Sequence, residues 1–136
     1  MNAPPLTLRY AMDAAFISSS DGDSFHCRIR LPFKAEYVSQ VRLARVNCAE
    51  AHALGGPEAT AFTTAWLEAA MAAAPNLSRY ERDWPLLVQG RNLDIRSRPL
   101  LEVYRKDTGA NLSDDLLAQG FSQPYGMANA LMGIAP

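Results

Sequence analysis

Lysine is almost missing from this chain. Lys34 and Lys106 are the only two, so arginine supplies most of the 13 basic residues, which 14 acidic residues offset to a formal net charge of -1. That balance leaves no global field to draw in a polyanion, so any contact with nucleic acid has to use a local patch. Guanidinium suits such a patch, because its planar fork grips phosphate at two points. Cysteine is equally scarce. Cys27 and Cys48 are too few for a disulfide framework, and both are expected to be reduced.

Long apolar runs are also lacking. No segment approaches the roughly 18 residues of a membrane span, and the opening MNAPPLTLRY has no basic stretch leading into an apolar one. No membrane contact is expected, and the cytoplasm is the default location. Repeats and low-complexity linkers are absent as well, so the chain reads as one domain over residues 1–136, with its core at about 6–125 and a short tail at 126–136. With 49% hydrophobic residues it can bury one core without staples.

Strand patterns fill the first third of the sequence. Leu6, Leu8, Tyr10 and Met12 alternate with Thr7, Arg9, Ala11 and Asp13, and the run continues to Ile17 before Ser18, Ser19 and Ser20 are expected to break it. After the turn Asp21-Gly22-Asp23-Ser24, residues Phe25, Cys27, Ile29 and Leu31 share one face, while His26, Arg28 and Arg30 share the other. A third strand is expected over Tyr37 to Val46, with Val41 and Leu43 facing the core and Arg42 on the opposite side, free to leave it. These three strands fit an antiparallel meander.

Gly56-Pro57-Glu58 has the composition of a helix start, with proline at the first position and glutamate at the positive end of the dipole. Ala59, Phe62, Trp66, Ala70 and Ala73 keep helical spacing, with Thr63, Leu67 and Met71 alongside, until Pro75 closes the run. Leu86 to Val88 and Leu100 to Tyr104 read as strands joined by a polar stretch. Asn111 or Ser113 would cap a short helix that Gly120 stops. The order of elements predicts an α+β, mainly β fold: a five-stranded OB-fold barrel with two to three helices.

Taken singly, the polar motifs are weak signals. Asp and Gly are turn formers, so Asp21-Gly22-Asp23-Ser24 alone is an ordinary turn. An EF-hand is excluded, because the loop from Asp21 would need glycine at His26 and glutamate at Pro32. Structural zinc is disfavoured, since His26 and Cys27 are adjacent on a strand and face opposite ways. Cys48 and His52 lack the oxyanion-hole motif that a thiol nucleophile needs. Trp84 and Tyr125 are loop anchors or stacking platforms for a base.

Taken together, DGDS at 21–24, VRLARVNCAE at 41–50, GPEATAF at 56–62, DIRSR at 94–98 and NLSDDLLAQG at 111–120 resemble, in order and spacing, the staphylococcal nuclease (thermonuclease) family. The likeness covers roughly residues 14 to 125. It implies a metal-dependent nuclease that hydrolyses the phosphodiesters of single- or double-stranded DNA and/or RNA with low sequence specificity. Cleavage on the 5′-oxygen side would leave 3′-phosphate ends. Carried over by position, Asp23 would be a ligand for Ca2+ or another divalent metal, with Asp21 in its outer shell and Asn47 and the Cys48 backbone carbonyl completing the protein ligands. Glu50 would be the general base, and Arg42 and Arg98 would hold the phosphate and stabilise the transition state.

The chemistry suits those residue types: calcium takes oxygen ligands and tolerates water, and converging guanidiniums stabilise charge gathering on phosphate oxygens. The family has aspartate at Asn47, threonine at Cys48 and proline at Ala49, and often tyrosine at Arg96. The lost charge at Asn47 predicts weaker metal binding. The same departures sustain a second expectation, a catalytically weakened module of this fold that binds nucleic acid or protein.

Overall fold

The computed structural model describes residues 10–94 and 96–124. The expected strand residues at 6–9, Tyr125 and the tail lie outside them. Strands β1 (Tyr10–Asp21), β2 (Ser24–Arg30) and β3 (Glu36–Leu43) form the antiparallel meander, and β5 (Leu86–Leu93) and β6 (Pro99–Arg105) complete a closed barrel in the order β1-β2-β3-β6-β5. β5 returns to pair antiparallel with β1, and closure is made by a short parallel contact between β3 and β6, where Arg42 faces Leu100 and Leu43 faces Leu101. The architecture is a five-stranded OB-like barrel of the α+β class.

Alternation decides which side chains fill this barrel. Phe25, Cys27 and Ile29 of β2, Val41 and Leu43 of β3, Val88 of β5 and Val103 of β6 point inward and are buried. Each large apolar side chain removed from water in this way contributes about 1.5–3 kcal/mol. Helix α1 (Gly56–Ala72) covers one side, burying Ala59, Thr63, Trp66, Leu67 and Ala70, and a 3-10 turn at Ala74–Asn76 containing Pro75 ends it. Helix α2 (Leu112–Ala118) starts at Asn111, whose Oδ1 accepts from the Asp114 N–H at 2.9 Å, and stops before Gly120, which has φ 78°. Trp66 Nε1 donates to Asp115 Oδ2 at 2.8 Å, tying the two helices together.

Four sequence expectations need correction. Ser18, Ser19 and Ser20 do not break β1: pairing with β2 continues through two register shifts, after Phe16 and after Ser19, and the Ser19 hydroxyl is satisfied by Thr64 of α1. The third strand does not run to Val46. It ends at Leu43, and Arg45, at φ 70°, turns the chain into a separate strand β4 (Val46–Cys48) that pairs antiparallel with β7 (Ser122–Pro124).

Arg45 is held in that turn by Glu102, through Nε at 2.6 Å and Nη2 at 2.8 Å, and by Asp114 at 2.9 Å. Arg42 does not leave the molecule's interior; it departs the barrel core but is covered by β4 and remains 6% exposed. The polar stretch after Val88 is strand as far as Leu93, because its cross-strand partners on β6 extend to Pro99. Among the described residues, no helix is long and apolar enough to cross a membrane.

Candidate functional site

The turn between β1 and β2 is where the expected ligands meet. Asp21 and Asp23 flank Gly22, a position with no room for a side chain: a Cβ there would lie 2.8 Å from the Ala59 Cβ and 3.1 Å from the Cys48 Cβ. The small residue lets α1 seat directly on the turn, and Thr63 Oγ1 donates to the Gly22 carbonyl at 2.6 Å.

The two carboxylates then organise the chain that follows β3. Asp23 Oδ2 accepts from the Cys48 N–H at 2.8 Å, and Asp21 Oδ1 accepts from the Ala51 N–H at 2.7 Å. The acidic turn and the segment from Asn47 to Ala51 are therefore one unit, although some 25 residues separate Asp23 from Cys48 in the chain.

Arg42 completes this unit from below. Its Nη1 donates to the Leu43 carbonyl at 2.9 Å, and its Nη2 lies 3.3 Å from Asn47 Oδ1 and 3.5 Å from Asp23 Oδ2. Arg98 sits immediately before β6, the other strand of the parallel contact, two residues before Leu100, the partner of Arg42. Its charge favours the ionised form of Asp23, the smallest of the influences on that carboxyl.

Asp94 fixes Arg98: one carboxylate oxygen accepts from Nε and Nη2, both at 2.8 Å, and the other caps the Arg96 and Arg98 N–H groups. Sequence reasoning gave Asp94 no role. The signal was present as an aspartate whose side chain could close an Asx-type turn onto the residues just after it.

Burial sets the protonation of these groups. It pushes the Asp23 carboxyl above its ordinary value of 3.8, and the Arg42 charge and the Cys48 N–H recover only part of that shift. Asp94 is also pushed up by burial, but the hydrogen bonds from Arg98 and Arg96 outweigh this and hold it below its ordinary value. Both cysteines are free and buried. Burial raises Cys27 to about 12, and burial with the nearby Asp23 charge raises Cys48 to about 11. Both thiols are therefore weaker acids than free cysteine, and sulfur is in any case a poor match for a hard divalent cation.

The expected general base stands apart. The Glu50 side chain is 71% exposed and its Oε2 lies 3.6 Å from His52 Nε2. Among the described residues it makes no hydrogen bond or ion pair with Asp23, Arg42 or Arg98. Its main chain is nonetheless well placed, since the neighbouring Ala51 N–H is held by Asp21.

The donors Asp21, Asp23 and Asn47 offer only oxygen, which suits a hard divalent cation. A positive charge beside Asp23 would also relieve the cost of its burial. Arg42 already bridges Asp23 and Asn47, and among the described residues no group of three or more His, Cys, Asp or Glu side chains could hold a metal ion. The oxygen donors match a hard cation in type, and such a cation would compete with Arg42 for Asp23 and Asn47. A cleft of about 570 Å³ opens next to it between Asn47, Cys48, Glu58, Phe121 and Ser122, reached by the shared residues Asn47 and Cys48. No family model matches the chain, and no curated protein matches it.

Proposed function

We propose that this protein is a metal-dependent phosphodiesterase acting on DNA or RNA with low sequence specificity, a nuclease of the staphylococcal type. The observation that carries the reading is the buried carboxylate of Asp23 against the guanidinium of Arg42 beside the β3–β6 contact, with Arg98 anchored just before β6. A buried carboxylate paired with a buried guanidinium is costly as a purely structural device. It is useful where an anionic ester and a cation meet.

In this reading Arg42 and Arg98 hold the phosphate and stabilise the charge that builds on its oxygens as water attacks phosphorus and the bond to the 5′-oxygen breaks. Glu50 takes the proton of the attacking water, and the 5′-oxygen leaves with the bonding electron pair and takes a proton from solvent water to become the alcohol. A divalent ion, calcium or another, held by Asp23, Asn47 and the Cys48 carbonyl with Asp21 behind, supplies Lewis acidity and water activation when bound. Asp94 keeps Arg98 in position, and Asp21 keeps the Glu50 segment in position. Two free thiols suit work in the cytoplasm.

A second reading, a binding module with weakened catalysis, is favoured by one observation. Arg42 is internally satisfied by Asn47 and Asp23. The two readings separate in one experiment. Purified protein is incubated with single-stranded DNA, double-stranded DNA and RNA in calcium, magnesium, manganese or EDTA, beside Glu50→Gln and Arg98→Ala. Metal-dependent cleavage that is lost in both variants supports the nuclease. A folded protein that binds the polymers in EDTA and cleaves none of them with any metal is the binding module.

A further inference from the structure

The other end of the β2–β3 ladder carries a second constellation. Register runs from Ser24 opposite Arg42 at the candidate site to Arg30 opposite Glu36, six residues along β2, or roughly 20 Å at about 3.3 Å per residue. There a groove of about 570 Å³ is lined by Arg28, Arg30, Lys34, Tyr80 and Trp84 with Glu36 and Asp83. Its volume falls in the usual range of small-ligand clefts.

Arg28 is the fixed part. Its guanidinium lies 4.6 Å over the Trp84 ring and pairs with Glu36 at 3.1 Å, which neutralises that acid. Among the described residues Arg30 has only a 3.4 Å side-chain contact with Asp13, both groups being part-exposed, and Lys34 is exposed with no ion pair. Tyr80 is 80% exposed, its ring flanked by Arg79 at 5.8 Å.

Beside the groove, Phe33 is wholly exposed at φ 62° and Lys34 follows at φ 65°. The two left-handed residues form the tight turn that joins β2 to β3, closed by the Ala35 N–H donating to the Pro32 carbonyl at 3.2 Å, and that turn holds the Phe33 ring out in solvent.

We infer that this groove is a second binding site, an exosite for single-stranded polynucleotide, in which Arg30 and Lys34 meet phosphates and Tyr80 and Phe33 stack bases. Cations beside exposed aromatic faces are the recognition chemistry of single strands, and the lining carries three basic side chains against Glu36 and Asp83, a local excess of one positive charge in a near-neutral chain. The choice of a polynucleotide over another polyanion rests on the nuclease reading. The exosite holds a strand whose other part reaches the Asp23 end of the same ladder.

The test separates the two claims. Binding of a labelled oligothymidylate is measured in EDTA by fluorescence anisotropy across a salt series, for the parent, Lys34→Glu, Arg30→Gln and Tyr80→Ala. In parallel, metal-dependent hydrolysis of a thymidine p-nitrophenyl phosphodiester, too short to reach the groove, reports the Asp23 site. Thermal melts confirm folding; Lys34→Glu and Tyr80→Ala change exposed side chains and serve if Arg30→Gln is unstable.

The expected result is binding weakened about tenfold by Lys34→Glu, with a shallower salt dependence, and by about fivefold or more in Tyr80→Ala. Hydrolysis of the short ester is expected to be unchanged in both. Oligothymidylate binding that is undetectable in the parent, or equal in parent and variants, overturns the exosite, as does a preference of the groove for an acidic polyglutamate peptide. Failure of the nuclease reading is seen separately, as no hydrolysis of the short ester by any form with any metal.

Discussion

Arg42 and Asp23 meet at 3.5 Å with their side chains only 7% and 10% exposed, yet the carboxyl stays harder to ionise than a carboxylate in water. Burial outweighs the partner. The folded state therefore holds the Asp23 proton more tightly than the unfolded chain does, so this group's contribution to stability is full below the ordinary value of 3.8 and is lost as pH rises through the raised folded value. The melting temperature of the parent relative to Asp23→Asn is expected to fall across that window, and calcium is expected to reduce the fall. A difference that rises with pH would show that Arg42 wins over burial, and a flat one that the two cancel.

Asn47 contributes an amide oxygen where a carboxylate would add charge, and that oxygen already accepts from Arg42 at 3.3 Å. Asn47→Asp is expected to tighten calcium binding by about tenfold, read by calorimetry, since affinity follows ligand charge. The added acid is not stranded, because Arg42 lies against it. Calcium affinity that does not move removes Asn47 from the ligand set.

Asp94 acts through Arg98. Its carboxylate accepts from Nε, Nη2 and two backbone N–H groups, so Asp94→Ala removes four hydrogen bonds and is expected to cost about 2–4 kcal/mol by denaturant titration. Asp94→Asn keeps the backbone caps and loses the charged fork. It is expected to recover much of the stability while kcat stays about ten- to a hundredfold low and KM moves less, the signature of a misaimed group. Parent-like kcat in both variants would mean that Arg98 needs no clamp. The hydrogen bonds to Asp94 also lower its carboxyl below the ordinary value, so the stability it adds is present above 3.8 and is lost as pH falls through the lower folded value, opposite in sign to Asp23.

Much of this is legible in the amino-acid sequence. Period-two alternation identified Phe25, Cys27, Ile29, Val41 and Leu43 as barrel core, and proline with glutamate marked the start of α1. The motif order anticipated that Asp23, Arg42 and Asn47 belong together. What stayed hidden depends on contacts far apart in sequence. The chain's exit from β3 is set by Glu102 gripping Arg45 from 57 residues away, and the β4–β7 sheet has three pairs among the described residues. The serine run in β1 reads as a turn because the helix hydroxyl that satisfies it is 45 residues on. Glu50 was assigned by position in a motif, and position does not fix where a solvent-exposed side chain points.

Two adjacent glycines give a test of why the helix-start motif and the Glu50 segment travel together. At Gly56 a Cβ would lie 1.6 Å from the Glu50 carbonyl oxygen, a collision with backbone that no rotamer relieves. Gly55 has open space but φ 82°, so a side chain there meets only conformational strain. Gly55→Ala is expected to cost about 1 kcal/mol and leave cleavage near the parent level. Gly56→Ala has to push the Glu50 segment off α1, which is expected to cost about 3 kcal/mol or more and to lower cleavage far more than the stability loss explains at a temperature where the variant is folded. If both substitutions proved equally mild, the contact between α1 and the Glu50 carbonyl would not be what aims that segment, and the cause of the motif pairing would have to lie in the Asp21 bond to Ala51 alone.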